Sequence, residues 1–312
     1  MNVLLRFRAL LAITSLTLGV PDAARAAQHE AVETQQPSAA SFVATPRDGE
    51  TQANEDTKET DPPAAPAVED DDMSINHAQP DFTVVNLPTN LRLPAFKSAF
   101  RVTHRFTRAL GDGDFGDLAS DFFSLDNGAI IGLEYRFGLM RGLQIGIHRT
   151  SDKTIEFFGQ RDLLRQSANM PLGLSVVLSV EGLHNFKRER SPAIGVVLSR
   201  ELGEHGALYV MPMWVGNTGA TPQTDDSTGI VGLGARVRIR PTVYLVGELT
   251  PRATGFKPGV NHGTFAVEKQ VGGHVFQINF SNSFGTTFAQ IARGGLTNDN
   301  WYLGFNISRK FY

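Results

Sequence analysis

The chain has 312 residues, no cysteine and a formal net charge of −3, which exclude a disulfide scaffold, a thiol nucleophile, an iron-sulfur cluster, attached c-type haem and a lipid-modified cysteine. The charge is uneven: residues 28–80 carry 12 Asp or Glu against Arg47 and Lys58, while residues 81–312 sum to +5. No stretch of about 20 apolar residues follows the N-terminus, so a helical membrane span is excluded.

Arg6 and Arg8 precede an apolar run, Ala9 to Val20, too short to cross a bilayer, and Ala24-Arg25-Ala26 puts small residues where a signal peptidase reads them. This order predicts a secretory signal over residues 1–26, cleaved before Ala27, and therefore export. Residues 27–84 are expected to form a disordered, acidic, Pro-rich tether. Within it, residues 28–80 hold six prolines and one aromatic, Phe42, too little apolar surface to offset an ordering entropy of roughly 1–2 kcal/mol per residue. The run Glu69-Asp70-Asp71-Asp72 lacks the alternate spacing, turn glycine and closing glutamate of a calcium loop and reads as a solvated charge run.

From Ala95 onward the dominant period is two. Phe100, Val102 and Phe106 alternate with Arg101, Thr103 and Arg105; Ile131, Leu133, Tyr135 and Phe137 with Gly132, Glu134 and Arg136; Val231, Leu233, Ala235, Val237 and Ile239 with Gly232, Gly234, Arg236 and Arg238. The polar face holds glycine, serine and isolated Arg or Glu rather than the Lys and Thr of a solvated sheet. That choice points to an all-β, up-and-down antiparallel transmembrane barrel over residues 85–312, with an apolar lipid face and a polar lumen. Twelve strands are expected, near 98–107, 129–137, 143–150, 154–164, 172–182, 192–201, 207–215, 229–239, 242–250, 263–269, 274–283 and 301–311. A soluble periplasmic barrel or sandwich is the alternative.

Connection lengths test this independently, since outer-membrane barrels alternate short periplasmic turns with long external loops. Long connections at 108–128, 183–191, 216–228, 251–262 and 284–300 interleave with short ones at 138–142, 202–206, 240–241 and 270–273. The gaps 151–153 and 165–171, on either side of the fourth strand, break the alternation. Arg161, in the lipid-facing phase, and Pro212, which lacks a ladder donor, sit badly in their strands. An even strand number places both chain ends in the periplasm. The series Trp301, Leu303, Phe305, Ile307 and Phe311 has the alternation and near-terminal aromatic of a closing strand, the signal that the barrel assembly machinery engages.

The string Gly272-Gly273-His274-Val275-Phe276-Gln277-Ile278-Asn279-Phe280-Ser281-Asn282-Ser283, followed by Tyr302-Leu303-Gly304-Phe305-Asn306-Ile307-Ser308-Arg309, resembles the exported β-barrel proteins grouped as domain of unknown function 5777. Leu87-Pro88-Thr89, His104-Arg105-Phe106, the loop Asp121-Phe122-Phe123-Ser124-Leu125-Asp126-Asn127-Gly128 and Leu163-Leu164-Arg165-Gln166 add to the resemblance, which spans roughly residues 85–311. It implies an exported membrane barrel and brings no reaction or ligand with it.

Catalysis is not expected. His104 shares the lipid-facing phase with Phe100, Val102 and Phe106, but no Ser or Asp partner is legible beside it. The eight His are scattered without ligand spacing, so no metal is expected, and no other cofactor. The glycine pairs 272–273 and 294–295 do not lie between a strand and a helix, so neither nucleotide nor nucleic acid is expected. The inward set is Arg101, Arg105, Glu134, Arg136, His148, Glu156, Glu181, Arg236, Arg238, Glu248, Glu268 and Lys310. Its mixed signs fit either charge-paired filling or a thin water path. The expected function is a narrow outer-membrane channel or ligand-binding barrel, against a structural barrel whose acidic tether recruits a periplasmic protein partner. The lipid bilayer of the outer membrane is the surrounding medium in both.

Overall fold

The computed structural model describes residues 71–122, 128–219, 227–295 and 297–312. After a 3-10 turn at Asp71–Met73 come β1 (Ser98–Phe106), α1 (Phe115–Ser120), β2 (Ala129–Met140), β3 (Leu143–Thr150), β4 (Ile155–Leu164) and β5 (Gly173–Gly182). A helical turn α2 (Leu183–Phe186) leads to β6 (Arg188–Glu201), β7 (Gly206–Val215), β8 (Thr228–Arg240), β9 (Val243–Thr250) and β10 (Arg252–Gly255). The chain ends with β11 (His262–Val271), β12 (His274–Ser281), α3 (Phe288–Arg293) and β13 (Tyr302–Phe311).

Neighbouring strands pair antiparallel, β1 pairs with β13, and β8 pairs with β9, which pairs with β11, so the sheet closes into a ring of twelve strands. Closure removes the edges that would otherwise expose unpaired backbone to lipid. The thirteenth strand, β10, extends the path of β9 past Pro251 and pairs with the far end of β8 through Arg252↔Ile230. Pro251 cannot donate to the ladder, which is where the strand divides. Pro212 has the same defect in β7: the β6–β7 register runs from Ala193↔Val215 to Gly195↔Met213 and again from Leu198↔Val210. Its side chain faces outward, as does Arg161, whose guanidinium donates to the Arg141 carbonyl (3.0 Å) at the turn where β2 meets β3.

Ser98 pairs with Phe311, so the start of β1 and the end of β13 lie at one mouth of the barrel, here the near mouth. Apart from the connection 165–172 between β4 and β5, the turns at that mouth are short, and those at Arg141-Gly142 and Gly272-Gly273 place Gly142 and Gly272 at φ 70° and 57°, the conformation a two-residue hairpin demands. The outward phase is apolar, with Leu133, Ile147, Leu178, Leu233, Val267 and Ile278 all exposed. At the far mouth it carries aromatic rings: Phe265 stacks on Phe280 (centroids 4.9 Å) and approaches Trp301 (5.6 Å). An apolar band ended by aromatics is the surface a bilayer covers.

Residues 78–84, expected to belong to the tether, are buried along with 85–89. The charge count of the preceding segment hid a short apolar run, Phe82-Thr83-Val84-Val85, with strand propensity of its own. The expected signal segment, residues 27–70 of the expected tether and loop residues 123–127 lie outside the described residues.

Candidate functional site in a filled lumen

Residues 78–89 enter the barrel interior as a hairpin. Val84 N–H donates to Leu87 O (2.7 Å), Thr89 N–H donates to Phe82 O (2.9 Å), and Thr83 bridges Pro88. The tip, Val85-Asn86, has backbone groups that no strand pairs, and buried backbone groups require partners. The barrel wall supplies them. Glu248 Oε2 on β9 accepts from Val85, Asn86 and Leu87 N–H at 3.0, 2.9 and 3.0 Å, three successive amides converging on one anion.

The hairpin carbonyls are met by donors. Arg236 Nη2 reaches Thr83 O (2.8 Å) and Gln277 Nε2 reaches Val84 O (2.9 Å). Arg101 Nη1 and Asn306 Nδ2 share Val85 O at 2.9 and 3.0 Å, and Arg105 Nη2 holds Asn86 Oδ1 at 2.9 Å. Lower down, Gln160 Nε2 donates to Thr89 O (2.7 Å) and Ser308 Oγ to Asp81 Oδ2 (2.7 Å). Three of the guanidinium groups are themselves paired, Arg101 and Arg136 with Glu134 and Arg236 with Glu268 at 2.9 Å, while Arg105 is held by Asn306 Oδ1 and Asn86 Oδ1. Paired and hydrogen-bonded ions of this kind tolerate burial that an isolated charge would not.

The lumen is two-sided. Opposite the polar arc, strands β5 to β9, which also carry Arg236 and Glu248, turn Val177, Val197, Tyr209, Met211, Met213, Val215, Ile230, Tyr244 and Val246 inward, and these form one cluster with Val84, Val85 and Leu87 of the hairpin. Gly232 and Gly234 make the room: a Cβ on Gly232 would lie 2.7 Å from Leu87 Cδ1, and one on Gly234 would lie 3.1 Å from Val84 Cγ2. Polar groups on both sides, Glu248 and Arg236 included, thus bind the hairpin's backbone, while the apolar arc packs its side chains.

The far mouth is filled separately. The connection between β12 and β13 folds inward as α3, whose Thr287 and Gln290 form a reciprocal capping box. Phe288, Ala289, Ile291 and Ala292 join the same apolar cluster. Glu156 Oε1 accepts from Phe288 N–H (3.2 Å), Glu181 accepts from the Thr287 hydroxyl, and Arg293 Nη1 donates to Glu181 Oε1 (3.0 Å). Open space persists at the two mouths. A cavity of about 290 Å³ at the near mouth is lined in part by Asn76, Gln79, Asn90 and Arg92, and one of about 250 Å³ at the far mouth by Phe284, Arg293 and Tyr302.

Of the inward residues expected from sequence, Arg101, Arg105, Glu134, Arg136, His148, Glu156, Glu181, Arg236, Glu248 and Glu268 are each at most 5% exposed. Lys310 is half-buried, its Nζ 5.5 Å from the centre of the Phe82 ring. Arg238 turns away to the rim, where it donates to Pro241 O (3.0 Å) and Glu204 (3.1 Å). The thin water path weighed for these groups is not what they line, because hairpin and α3 occupy the space. The closing-strand residues Leu303, Phe305, Ile307 and Phe311 lie on β13, and Trp301 immediately precedes it. His104 faces outward, stacked on Phe305 (4.7 Å, 10°) and 4.4 Å from the Phe106 ring.

Sequence reasoning missed the hairpin, the apolar arc and α3. Thr287-Phe288-Ala289-Gln290 is a readable capping-box signature. The inward Met211, Met213 and Val215 alternate with an equally apolar outward set, so period two conceals them.

Residues 81–311 match the membrane-bound beta barrel domain DUF5777. The chain belongs to this family. Among solved structures, this DUF5777 barrel is similar to the NanC porin, at 9% identity over 69% of this chain and 99% of that one, with a TM-score of 0.46. It is also similar to an outer membrane channel from Pseudomonas putida F1, at 11% identity over 70% and 97% of the two chains, TM-score 0.44. Outer membrane phospholipase A from Escherichia coli is a further similar barrel, at 12% identity over 69% and 93%, TM-score 0.37. None of these likenesses assigns this chain an activity. No curated protein matches the sequence.

Proposed function

We propose that this protein is an exported outer-membrane channel, closed at rest by its own N-terminal hairpin, that admits a small polar solute when the hairpin withdraws. The observation that supports the reading is the way the hairpin is held: Glu248, Arg101, Arg236, Gln277 and Asn306 bind its backbone. Buried ion pairs contribute little net stability compared with apolar packing of equal volume. A permanent core would gain more from apolar residues on that arc, whereas a wall that must also face water gains from ionic ones. In this orientation the near mouth opens to the periplasm, the hairpin enters from that side, and the closing strand β13 is the element the assembly machinery engages.

Planar-bilayer recording tests this. The refolded full chain should be silent or open rarely, and Glu248→Ala, which removes the acceptor of three hairpin amides, should raise the frequency of discrete openings. Silence in both, with the barrel folded and the hairpin loosened, would remove the channel reading. Occlusion from both mouths would then favour the second reading, a structural barrel that presents its acidic N-terminal segment to a periplasmic partner. Catalysis forms no part of either reading, since His104 is engaged with Phe106 and Phe305 on the outer face.

A further inference from the structure

The register of the barrel aligns its inward ionisable groups in one continuous row. Arg101 stands opposite Glu134, Glu134 opposite His148, His148 opposite Glu156, Glu156 opposite Glu181, and Glu181 opposite Ser191. The row begins at the hairpin, which Arg101 holds, and ends at α3, which Glu156 and Glu181 hold. Most neighbours in the row are complementary. Glu156 and Glu181 are not: two carboxylates directly opposite one another, 3% and 1% exposed. Like charges in that position repel, the more so when removed from water.

The groups around the pair do not balance it. His148 on β3 and, beyond it, Glu134 on β2 face it along the row; among the described residues Arg293 on α3 is the one guanidinium bound to it, and that cation also bonds Ser191 Oγ on β6 (3.2 Å). Glu134 is already bound to Arg101 and Arg136. On β11, His262 lies 3.9 Å from Glu248 and Glu268 is paired with Arg236. Asp152 and Arg252 hold the two ends of α3, Asp152 accepting from Gln290 Nε2 (3.1 Å) and Arg252 Nη1 donating to Arg293 O (3.1 Å). Two carboxylates against one guanidinium leave one negative charge in a dehydrated site. One proton makes the site neutral.

We propose that α3 is a proton-operated lid: it is seated while Glu156 carries a proton, and it lifts when Glu156 is charged opposite Glu181. The closed state binds one proton more than the open state, so closure is favoured at low pH and lost as pH rises and that proton leaves. The lid stands on its own geometry and does not depend on the channel reading. It is therefore tested by a measurement that does not involve conductance.

The chain has no cysteine, so a single thiol reports on the lid. The full chain carrying Ala292→Cys, or Ala289→Cys as a second position, is refolded in detergent micelles and its maleimide labelling rate is measured across pH. Each rate is normalised to that of Lys257→Cys, an exposed position, which removes the thiol's own titration. The normalised rate should rise with pH by up to about tenfold per unit, the slope of one released proton. Adding Glu156→Gln, a neutral carboxyl of the same shape, should hold the rate low and flat, while His148→Gln should leave the rise in place. A flat profile in the parent, an unchanged profile with Glu156→Gln, or loss of the rise with His148→Gln would each overturn the proposal.

Discussion

Glu248→Ala isolates the contact that seats the hairpin. One carboxylate oxygen accepts from Val85, Asn86 and Leu87 N–H at 2.9–3.0 Å, and Glu248 is 5% exposed. A hydrogen bond to a charged group contributes about 1.5–3 kcal/mol, and each buried amide left without a partner costs about 1–3 kcal/mol. The three bonds share one acceptor and are not additive, and water can enter where the carboxylate was. The working figure is therefore the loss for breaking one buried charged contact, about 3–5 kcal/mol. At 1.4 kcal/mol per factor of ten this corresponds to exchange of the three amides about two to three and a half orders of magnitude faster. Hydrogen exchange of the folded barrel in detergent, read on peptides covering residues 82–89, is the assay. Gln277→Ala removes a neutral donor from Val84 O and should accelerate the same peptides only about fivefold. Unchanged protection of the three amides in Glu248→Ala, with strand amides intact, would refute the seat.

Leu178→Arg and Leu303→Arg place a cation in the lipid-facing phase at a cost of about 2–4 kcal/mol near midplane, and both should lower the membrane-inserted fraction recovered after carbonate extraction. Ser308→Arg points inward at Asp81; the barrel should assemble, and the hairpin should exchange faster. Gly232→Val should loosen the hairpin as well, because the added side chain meets Leu87, again read by exchange over residues 82–89. Limited proteolysis of the folded chain should leave a protected fragment that begins before residue 78, whereas a fragment starting at 85 would contradict burial of residues 78–84.

The barrel was legible because a lipid face is a demand on every second residue. Once Ile131-x-Leu133-x-Tyr135 and its counterparts are read, strand phase follows from the lipid face, and closure from the need to pair all backbone groups within a bilayer. The limits of the fourth strand, doubtful because 151–153 is short and 165–171 long against the alternation, come out at Ile155–Leu164. The contents of the lumen were not legible for two reasons. The hairpin has no amphipathic period to announce it, and its partners lie far along the chain: Glu248 is 162 residues from Asn86 and Asn306 is 221 from Val85. Composition also misled, because the acidic count over 28–80 masks the apolar residues that follow it. The charged residues themselves were found, but isolated Arg and Glu read the same whether they face water or a peptide backbone.

Whether the hairpin is a plug or simply part of the core turns on cooperativity, and Leu87→Ala decides it. Leu87 is 1% exposed and packs where Gly232 leaves space on β8, so truncation should cost about 2–5 kcal/mol. If the hairpin is a separable unit, that loss appears in the local equilibrium between seated and withdrawn states. Exchange over residues 82–89 then quickens, while β1, β13 and the rest of the ring keep their protection, because the ring's hydrogen bonds are made strand to strand. The polar groups of the wall permit this: with the hairpin gone, Arg101, Arg236 and Glu248 would be solvated rather than stranded, and only the apolar side chains of β5 to β9 would be left facing water. If the hairpin is an integral core, Leu87→Ala must weaken the whole cluster that joins Val84, Val85 and Leu87 to Met211, Ile230 and Phe288, and the strands would lose protection together with residues 82–89. That second pattern, in a sample that still migrates as a folded barrel, would rule out withdrawal of the hairpin as an opening step and with it the gated channel.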